Sequence, residues 1–401
     1  MIHACRWLLP IDRPPLERAW IETSDGIIRR FGQGAPPAPA IELGDVALLP
    51  GLVNAHTHLE LSWMAGRVPP TDSMDAWIQT LMRVRRAGAE GGVGTERAAA
   101  AGAIGSMLAT GTVLVGDISN TLSSPALLAA AGLGGVVFHE VLGFYAADAP
   151  RLVADAVRRL NDAAAAIGGS PVPIRLAMAA HAPYSVSPAL FRAIAEWASE
   201  RPLTVHLGES PEEIEFLHGG RGPIRRMLEQ LGVWDAGWEP PMSGPVDYLW
   251  SLGYLRPGTL VVHGVHLAER EFDQLRRIGA ILVTCPRSNL WVGAGMPRVS
   301  HFYATGVPVA IGTDSLASVA SLNMFDELAA LRRIAPDVTA ASLLDSATRV
   351  GAEALGFGES HGTIAAGKAA ALVAVDVPPG VDDVEEYLVG GVPPSAVRRV
   401  P

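Results

Sequence analysis

Lysine is almost absent from this chain of 401 residues. Lysine and arginine together number 31, and Lys368 is the only lysine among them. A catalytic or metal-bridging lysine in the body of the chain is therefore excluded. This rules out Schiff-base chemistry, a phosphate-binding P-loop and a two-metal site bridged by a carbamylated lysine.

Cysteine and long apolar runs are also scarce. Cys5 and Cys285 are the only cysteines, so no disulfide framework is expected and a reducing compartment is indicated. The first ten residues, MIHACRWLLP, lack the regions of a secretory signal peptide. Glycine, proline or charge interrupts every apolar run before it reaches the roughly 18 residues of a membrane-spanning helix. The sequence therefore predicts a cytoplasmic protein that does not bind a membrane.

Positive charge is in the minority. The 41 aspartates and glutamates give a formal net charge of −10, which argues against a nucleic-acid partner because phosphate neutralisation needs a basic surface. Hydrophobic residues make up 49% of the chain, which is typical of a globular protein with a large core. These properties suit an enzyme with a small-molecule substrate. The oligomeric state is left open, with a homodimer as one candidate.

Short β-branched runs alternate with longer helical patterns between residues 47 and 314. Eight strands that alternate with helices predict an α/β protein with a (β/α)8 TIM barrel. In this fold the catalytic residues come from the C-terminal ends of several strands. The strand candidates are 47–54, 112–118, 134–141, 172–180, 203–207, 259–264, 280–285 and 307–313, and the helix candidates include 92–109, 149–166, 188–200, 211–231, 268–278 and 322–334.

The two chain ends have a different pattern. Neither residues 1–46 nor residues 360–401 show helical periodicity of useful length, and both contain short apolar pieces with turns. We expect the two ends to form one small β-sandwich domain together. The predicted domains are residues 1–48 and 356–401 for the two parts of this composite β domain, and residues 49–355 for the metal-dependent barrel.

Six polar residues stand where predicted strands stop, in VNAHTH, LTVHLGE, LVVHG and VAIGTD. Because a strand points residues i and i+2 to the same side, His56 and His58 can bind one cation. His206 and Asp314 add an imidazole and a carboxylate, which suit Zn²⁺ or another borderline divalent metal. One buried histidine alone could equally be a hydrogen-bonded core residue. Six such residues favour a metal site: His56, His58, His206, Glu209, His263 and Asp314.

A divalent metal with three histidines and one aspartate leaves room for a water, whose pKa the metal lowers towards neutrality. Glu209 follows His206 by three residues and can shuttle a proton to the substrate. His263 can form a hydrogen bond to the hydroxide and stabilise the developing oxyanion. Asp314 can both bind the metal and orient the hydroxide. The sequence predicts hydrolytic attack on a trigonal carbon, with ammonia, an amine or a carboxylate leaving.

Several segments resemble the amidohydrolase superfamily in its single-metal deaminase branch: PGLVNAHTHLELS, HLGES, VHGVHL and IGTDS. GTIAAGKAAALVAVD resembles the closing strand pair of that branch, although AAL replaces the usual ADL. The resemblance covers essentially the whole chain and implies the composite β domain. It also implies one divalent ion, zinc first and iron second, held by His56, His58, His206 and Asp314. In this resemblance Glu209 is the proton shuttle and His263 the partner of the hydroxide or the substrate.

Within that branch, HTHLELS, HLGESPEEIEFL, GRGP, CPRSN and GTDSLASV look most like the aminodeoxyfutalosine deaminases of the alternative menaquinone route. These enzymes convert a 6-amino purine nucleoside to its 6-oxo form. The resemblance implies 6-amino-6-deoxyfutalosine as the substrate and ammonia as a product. Alternative substrates are guanine, a pterin, another adenosine derivative or a triazine that loses chloride. A metal-bound barrel without catalysis is the remaining alternative.

Four residues near predicted strand ends are candidates for substrate contacts. His181, in HAPYS, could contact a ribose or base, or could cap its loop. Arg287, in CPRSN, could bind a carboxylate or a purine edge, or could form a salt bridge within its loop. Glu60 and Trp63 follow the histidine pair and could form the floor of the substrate pocket, although Trp63 could equally belong to the core. A predicted helix over 74–88 could cover the barrel mouth, with its arginines on a solvated face.

Overall fold

The computed structural model describes residues 1–400, apart from the side chain of Ala146. Fifteen strands lie within these residues. In chain order they are β1 (Ile2–Leu8), β2 (Leu16–Ser24), β3 (Ile27–Gln33), β4 (Ile41–Glu42), β5 (Val46–Pro50), β6 (Leu52–Thr57), β7 (Thr112–Ser119), β8 (Gly134–Val141), β9 (Ile174–Ala180), β10 (Thr204–Leu207), β11 (Leu260–His263), β12 (Ile281–Thr284), β13 (Val309–Ile311), β14 (Leu372–Asp376) and β15 (Val397–Val400).

Strands β6 to β13 are the predicted barrel. They form two parallel four-stranded sheets, β6-β7-β8-β9 and β10-β11-β12-β13. The sheets meet where the His206 amide donates to the His181 carbonyl at 2.9 Å, and where Thr57 and Asp314 form a parallel bridge. Strands β7 and β8 are buried along their whole length, which explains their nearly continuous apolar sequences. The predicted (β/α)8 barrel is confirmed.

The first predicted strand, 47–54, is in fact two strands that belong to different sheets. Residues up to Pro50 lie in β5, and β6 starts at Leu52. Gly51 separates the two strands, and its backbone lies against the side chain of Val113. A Cβ at position 51 would lie 2.2 Å from Cγ1 of Val113, so only glycine fits there. Because the apolar run is unbroken, the sequence pattern does not show that the chain passes from one sheet to another.

Both chain ends contribute to an additional β domain, as predicted. Its seven strands run in the order β15-β14-β5-β1-β2-β3, with β4 paired beside β1. A bridge between Ile27 and Ala369 brings β3 next to the segment before β14. The strands therefore form one sheet that curls around its own core, rather than the two separate sheets of a simple sandwich. That core includes Leu8, Ile21 and Leu48.

The helices pack outside the barrel strands. The long predicted helices are found, but the one over 211–231 is divided, because Gly220 ends it in the left-handed conformation and Gly222 precedes a new helix. The helices are α1 (Met74–Ala87), α2 (Val93–Ala109), α3 (Ser124–Ala131), α4 (Ala149–Ala166), α5 (Pro188–Ala198), α6 (Pro211–Gly219), α7 (Pro223–Gln230), α8 (Pro245–Ser251), α9 (Glu269–Ile278), α10 (Pro286–Trp291), α11 (Val299–Ala304), α12 (Met324–Ile334), α13 (Ala340–Ser346), α14 (Arg349–Ala354) and α15 (Val384–Val389).

None of the helices within residues 1–400 combines enough length with enough apolar character to cross a membrane.

Candidate metal centre and catalytic site

Side chains from the first, fifth and last barrel strands converge at the C-terminal mouth of the barrel. The Nε2 atom of His56 lies 3.2 Å from Nε2 of His58 and 3.3 Å from Nε2 of His206. Oδ1 of Asp314 lies 3.4 Å from Nε2 of His58 and 3.8 Å from Nε2 of His56. The structure thus brings together the four residues that the sequence predicted as metal ligands.

The spacing of these atoms fits one metal ion. Ligands at the corners of a tetrahedron with bonds of about 2.0–2.2 Å lie roughly 3.3–3.6 Å apart. Burial lowers the pKa values of His56 and His206, and neighbouring imidazoles lower them further. Neutral rings leave nitrogen lone pairs available to a cation. Donor atoms of His56, His58 and Asp314 lie within 4.8 Å of one another, and so do those of His56, His206 and His263. Three imidazoles and one carboxylate from these two overlapping groups could therefore hold a borderline divalent ion.

Hydrogen bonds fix the orientation of two of these side chains. Nδ1 of His206 donates to the carbonyl oxygen of His181 at 3.1 Å, which turns Nε2 towards His56. The hydroxyls of Ser288 and Ser318 donate to Oδ2 of Asp314 at 2.5 and 3.1 Å, which leaves Oδ1 to face the histidines. Such outer contacts set ring orientation and ligand basicity in metal sites.

The carboxylate of Asp314 stays ionised despite its burial. Burial alone would raise its pKa, but His58, His263 and the Ser288 hydroxyl outweigh that effect and lower it. Asp314 and His263 both have positive φ values, 62° and 78°, a region that residues other than glycine seldom adopt. Such backbone strain clusters at functional sites and persists only where the surrounding structure enforces it.

Glu209 and His263 form a pair beside this cluster. Nε2 of His263 lies 3.4 Å from Oε1 of Glu209. The side-chain amide of Asn289 donates to Nδ1 of His263 at 2.9 Å, so Nε2 carries the proton of the neutral ring. Burial lowers the pKa of His263 to about 4. Burial also raises the pKa of Glu209 well above its usual range, with Asp314 and Glu213 adding to the effect. Glu209 is therefore poised to carry a proton.

Glu213 holds the loop that carries Glu209, a role that the sequence analysis missed. Its Oε1 accepts from the Gly208 amide at 2.8 Å and its Oε2 from the Glu209 amide at 3.1 Å. Burial raises its pKa to about 7, while the two amide hydrogen bonds oppose that rise. In the sequence Glu213 belongs to a run of acidic residues at the start of α6, which predicts an exposed helical turn. Only the fold shows that its side chain is buried.

Replacing Glu213 by alanine is expected to lower the free energy of unfolding by roughly 2–6 kcal/mol, because two buried amides each lose an acceptor worth about 1–3 kcal/mol. Urea denaturation measures the change. Glu215→Ala, on the exposed face of the same helix, is the matched control and should shift stability by no more than about 0.5 kcal/mol. Equal effects of the two substitutions would contradict the role of Glu213 as a loop clamp.

Asp117 supports the histidine pair and was also missed. Its Oδ1 accepts from the amide of Leu59 at 2.8 Å, directly after His58, and its Oδ2 accepts from the Ser124 hydroxyl at 2.5 Å. Burial raises the pKa of Asp117 to about 7, although both hydrogen bonds oppose this. Asp117 lies near the end of β7, in GDIS, and this position near a strand end could have identified it in the sequence.

His181 and Arg287, two of the predicted substrate contacts, have different surroundings. Nδ1 of His181 lies 2.6 Å from the Ser185 hydroxyl, and its ring centroid is 5.0 Å from that of His206. Burial lowers the pKa of His181 to about 3. Arg287 instead pairs with Glu327 at 3.3 Å. This salt bridge joins α10 to α12 and does not lie within one loop, as the alternative for Arg287 had it. A substrate contact for Arg287 stays a prediction.

Glu60 and Trp63 lie in the short 3-10 helix Leu59–Met64 that follows the histidine pair. Glu60 accepts hydrogen bonds from the Ser119 hydroxyl and the Asn120 amide, both at 3.0 Å, so it fastens the loop after β7. Trp63 is buried in an apolar cluster, which agrees with the core alternative. Their roles in substrate binding stay predictions.

The fold and the convergent polar groups define a class of protein: a barrel hydrolase with a candidate metal centre at the C-terminal ends of its strands. The chain belongs to the amidohydrolase family, because the profile of that family matches residues 47–399.

Among the proteins similar to this chain are two deaminases and a solved adenosine deaminase structure. The chain is 31% identical over 344 residues to an aminodeoxyfutalosine deaminase of Deinococcus radiodurans, covering 80% of this chain and 76% of the relative. It is 32% identical over 357 residues to a 5-methylthioadenosine/S-adenosylhomocysteine deaminase of Nitratidesulfovibrio vulgaris, covering 84% and 73%. The crystal structure of an adenosine deaminase from Xanthomonas campestris with bound zinc superposes with a TM-score of 0.81 at 27% identity, covering 99% and 90%.

Proposed function

We propose that this protein is a metal-dependent aminohydrolase that removes the 6-amino group of a purine nucleoside as ammonia. The observation that carries the proposal is the convergence of three imidazoles and one carboxylate beside the Glu209–His263 pair. Hydrolase family membership supports it, as do the deaminase names of the relatives. The reaction class is hydrolysis of a carbon–nitrogen bond in a cyclic amidine.

The proposed ligands of one zinc ion are His56, His58, His206 and Asp314. Their nitrogen and oxygen donors suit zinc, and iron is the alternative. The zinc-bound adenosine deaminase supports the choice of zinc. When bound, such an ion supplies a water that is acidic enough to act as a hydroxide nucleophile near neutral pH.

Glu209 has the central proton-transfer role in this proposal. Its carboxylate takes a proton from the attacking water and delivers it to N1 of the purine as the oxygen bonds to C6. The remaining proton of that oxygen passes to the 6-amino group, the bond from C6 to that nitrogen breaks, and ammonia leaves with a 6-oxo purine remaining. His263, whose Nε2–H faces Glu209, stabilises the charge that develops on the oxygen.

The proposed substrate is 6-amino-6-deoxyfutalosine, which the aminodeoxyfutalosine deaminase relative supports. The second candidate is deamination of 5-methylthioadenosine or S-adenosylhomocysteine, which a relative of similar identity supports. Both candidates share the 6-aminopurine nucleoside and differ in the group at the 5′ end of the ribose. The cytoplasmic location, the oligomeric state and the identity of the ion stay predictions.

A panel of substrates tests the proposal through ammonia release. We expect kcat/KM to be highest for 6-amino-6-deoxyfutalosine, lower for 5-methylthioadenosine and adenosine, and lowest for guanine and cytosine. A lead of about tenfold or more for 5-methylthioadenosine would favour the second candidate. The same lead for guanine or a pterin would overturn the nucleoside assignment and leave the aminohydrolase assignment intact. Chloride release from a triazine without any ammonia release would contradict both.

A further inference from the structure

One buried carboxylate oxygen at the barrel mouth has no hydrogen-bond partner among the described residues. It is Oε1 of Glu140, near the end of β8, in a residue that is only 7% exposed. Nδ1 of His206 lies 3.8 Å from it, beyond hydrogen-bond distance. A buried carboxylate oxygen without a donor is costly, so its persistence at a site mouth indicates a ligand group that donates to it.

The other oxygen of this carboxylate is firmly held. The Asn120 side-chain amide donates to Oε2 of Glu140 at 2.8 Å and to its carbonyl oxygen at 3.2 Å. Arg85 donates in turn to Oδ1 of Asn120 at 3.0 Å, and the Glu60 carboxylate accepts from the Asn120 backbone amide. This network fixes the Glu140 side chain, so that the free Oε1 has a defined position near the rings of His181 and His206.

A second metal ion is not the ligand that this position suits. Carboxylate and ring atoms of Glu140, His181 and His206 do lie within 4.8 Å of one another. However, Nδ1 of His206 donates to the carbonyl oxygen of His181, so it carries a proton and offers no lone pair to a cation. Oε1 therefore suits a hydrogen-bond donor of the substrate better than a metal ion.

The position of Glu140 relative to the candidate metal centre indicates which part of a substrate this donor belongs to. The proposed ligands and His263 come from the first, fifth, sixth and last barrel strands, whereas Glu140 lies on the third. Nε2 of His206 faces the metal-ligand cluster and Nδ1 faces Glu140. A purine nucleoside with C6 at the cluster would bring its sugar to Glu140 if it lay across the mouth towards the third strand.

We propose that Glu140 binds a ribose hydroxyl of the substrate through Oε1 and so selects nucleosides over free bases. This inference rests on the proposed function. A carboxylate at this position would repel an anionic group and accept a hydrogen bond from a hydroxyl, which makes the sugar the matching part of the substrate. Glu140 is then a specificity-determining residue that touches the substrate and takes no part in proton transfer.

Deleting the hydroxyls tests the contact. We expect the wild-type protein to deaminate adenosine with a kcat/KM about 10–100-fold above that for 2′,3′-dideoxyadenosine, which corresponds to loss of one hydrogen bond to a charged group. In Glu140→Gln the carbonyl stays on Asn120 and the amide group replaces the acceptor. The preference should then fall to below about tenfold, because the hydroxyl loses its charged acceptor. The fall should come from slower reaction of adenosine, while the metal content is unchanged. Glu200→Gln, which removes an exposed glutamate at the opposite face of the barrel, should keep the wild-type preference.

Equal slowing of both nucleosides in Glu140→Gln would overturn the hydroxyl contact and leave the deaminase proposal standing. A wild-type protein that does not distinguish the two nucleosides would overturn it even if the variant fails to fold. Calorimetric binding of inosine and 2′,3′-dideoxyinosine repeats the comparison without turnover. Failure of the wild-type protein to bind or deaminate any nucleoside would instead refute the proposed function.

Discussion

Glutamine at position 209 is expected to reduce kcat by about 10²–10⁴-fold, the contribution that a positioned proton-transfer group makes. Glutamine preserves the shape of the side chain, and Glu209 is not among the proposed ligands, so the variant should fold and keep its metal. Burial, Asp314 and Glu213 raise the pKa of Glu209, which suits a group that accepts a proton and then gives it up. An amide cannot do this.

Steady-state kinetics and metal analysis of the same preparations check this result. Glu215→Gln removes an exposed carboxylate a few residues further along and should keep wild-type turnover. His263→Asn should also lower kcat, with less metal loss than a ligand variant. A Glu209→Gln protein with turnover within about tenfold of wild type would rule out the proton-shuttle role. A variant that is inactive because it has lost its metal would make Glu209 a ligand instead.

Alanine at position 206 is expected to remove most of the bound metal and all measurable activity. Loss of an outer hydrogen-bonding partner weakens metal affinity about 10–100-fold, and loss of a ligand exceeds that. The Nε2 atom of His206 lies 3.3 Å from that of His56, so its removal opens one corner of the donor set. His58→Ala should have the same effect.

Elemental analysis and chelator competition measure this loss. The wild-type protein should hold about one divalent ion per chain, as a single tetrahedral donor set implies. His218→Ala, on the exposed side of α6, is the control and should retain the metal. Full occupancy in His206→Ala would remove His206 from the ligand set, and a stoichiometric pair of ions in the wild type would contradict a single-metal centre.

The cluster at the barrel mouth could be predicted because its signals are local. The i, i+2 spacing of His56 and His58 follows from strand geometry, and the strand ends are visible as apolar runs that stop at a polar residue. The supporting groups are not visible in this way. Glu213 has the pattern of an exposed helical turn, and Glu140 lies inside the apolar run GGVVFHEV. Only tertiary contacts show that each carboxylate is buried and what it faces.

The same limit applies to the fold. The repeated alternation of strands and helices predicts the barrel, because each strand and each long helix has its own periodicity. The change of sheet at Gly51 depends on its approach to Val113, more than sixty residues away, and no local pattern records it. Several short helices, such as α8 and α11, span too few turns to show a 3.6-residue period.

The seam between the first and last barrel strands has a consequence for folding. The amides of Thr313 and Asp314 both donate to the carbonyl of His56 at 3.0 Å, and the Asn54 side chain bonds to the Thr313 hydroxyl at 2.7 Å. These pairs join residues more than 250 positions apart, so their formation closes a long loop, and we expect them to form late in folding. During synthesis the ligand set stays incomplete until the eighth strand has emerged and docked. Barrel closure and completion of the proposed ligand set therefore depend on the same strand pairing.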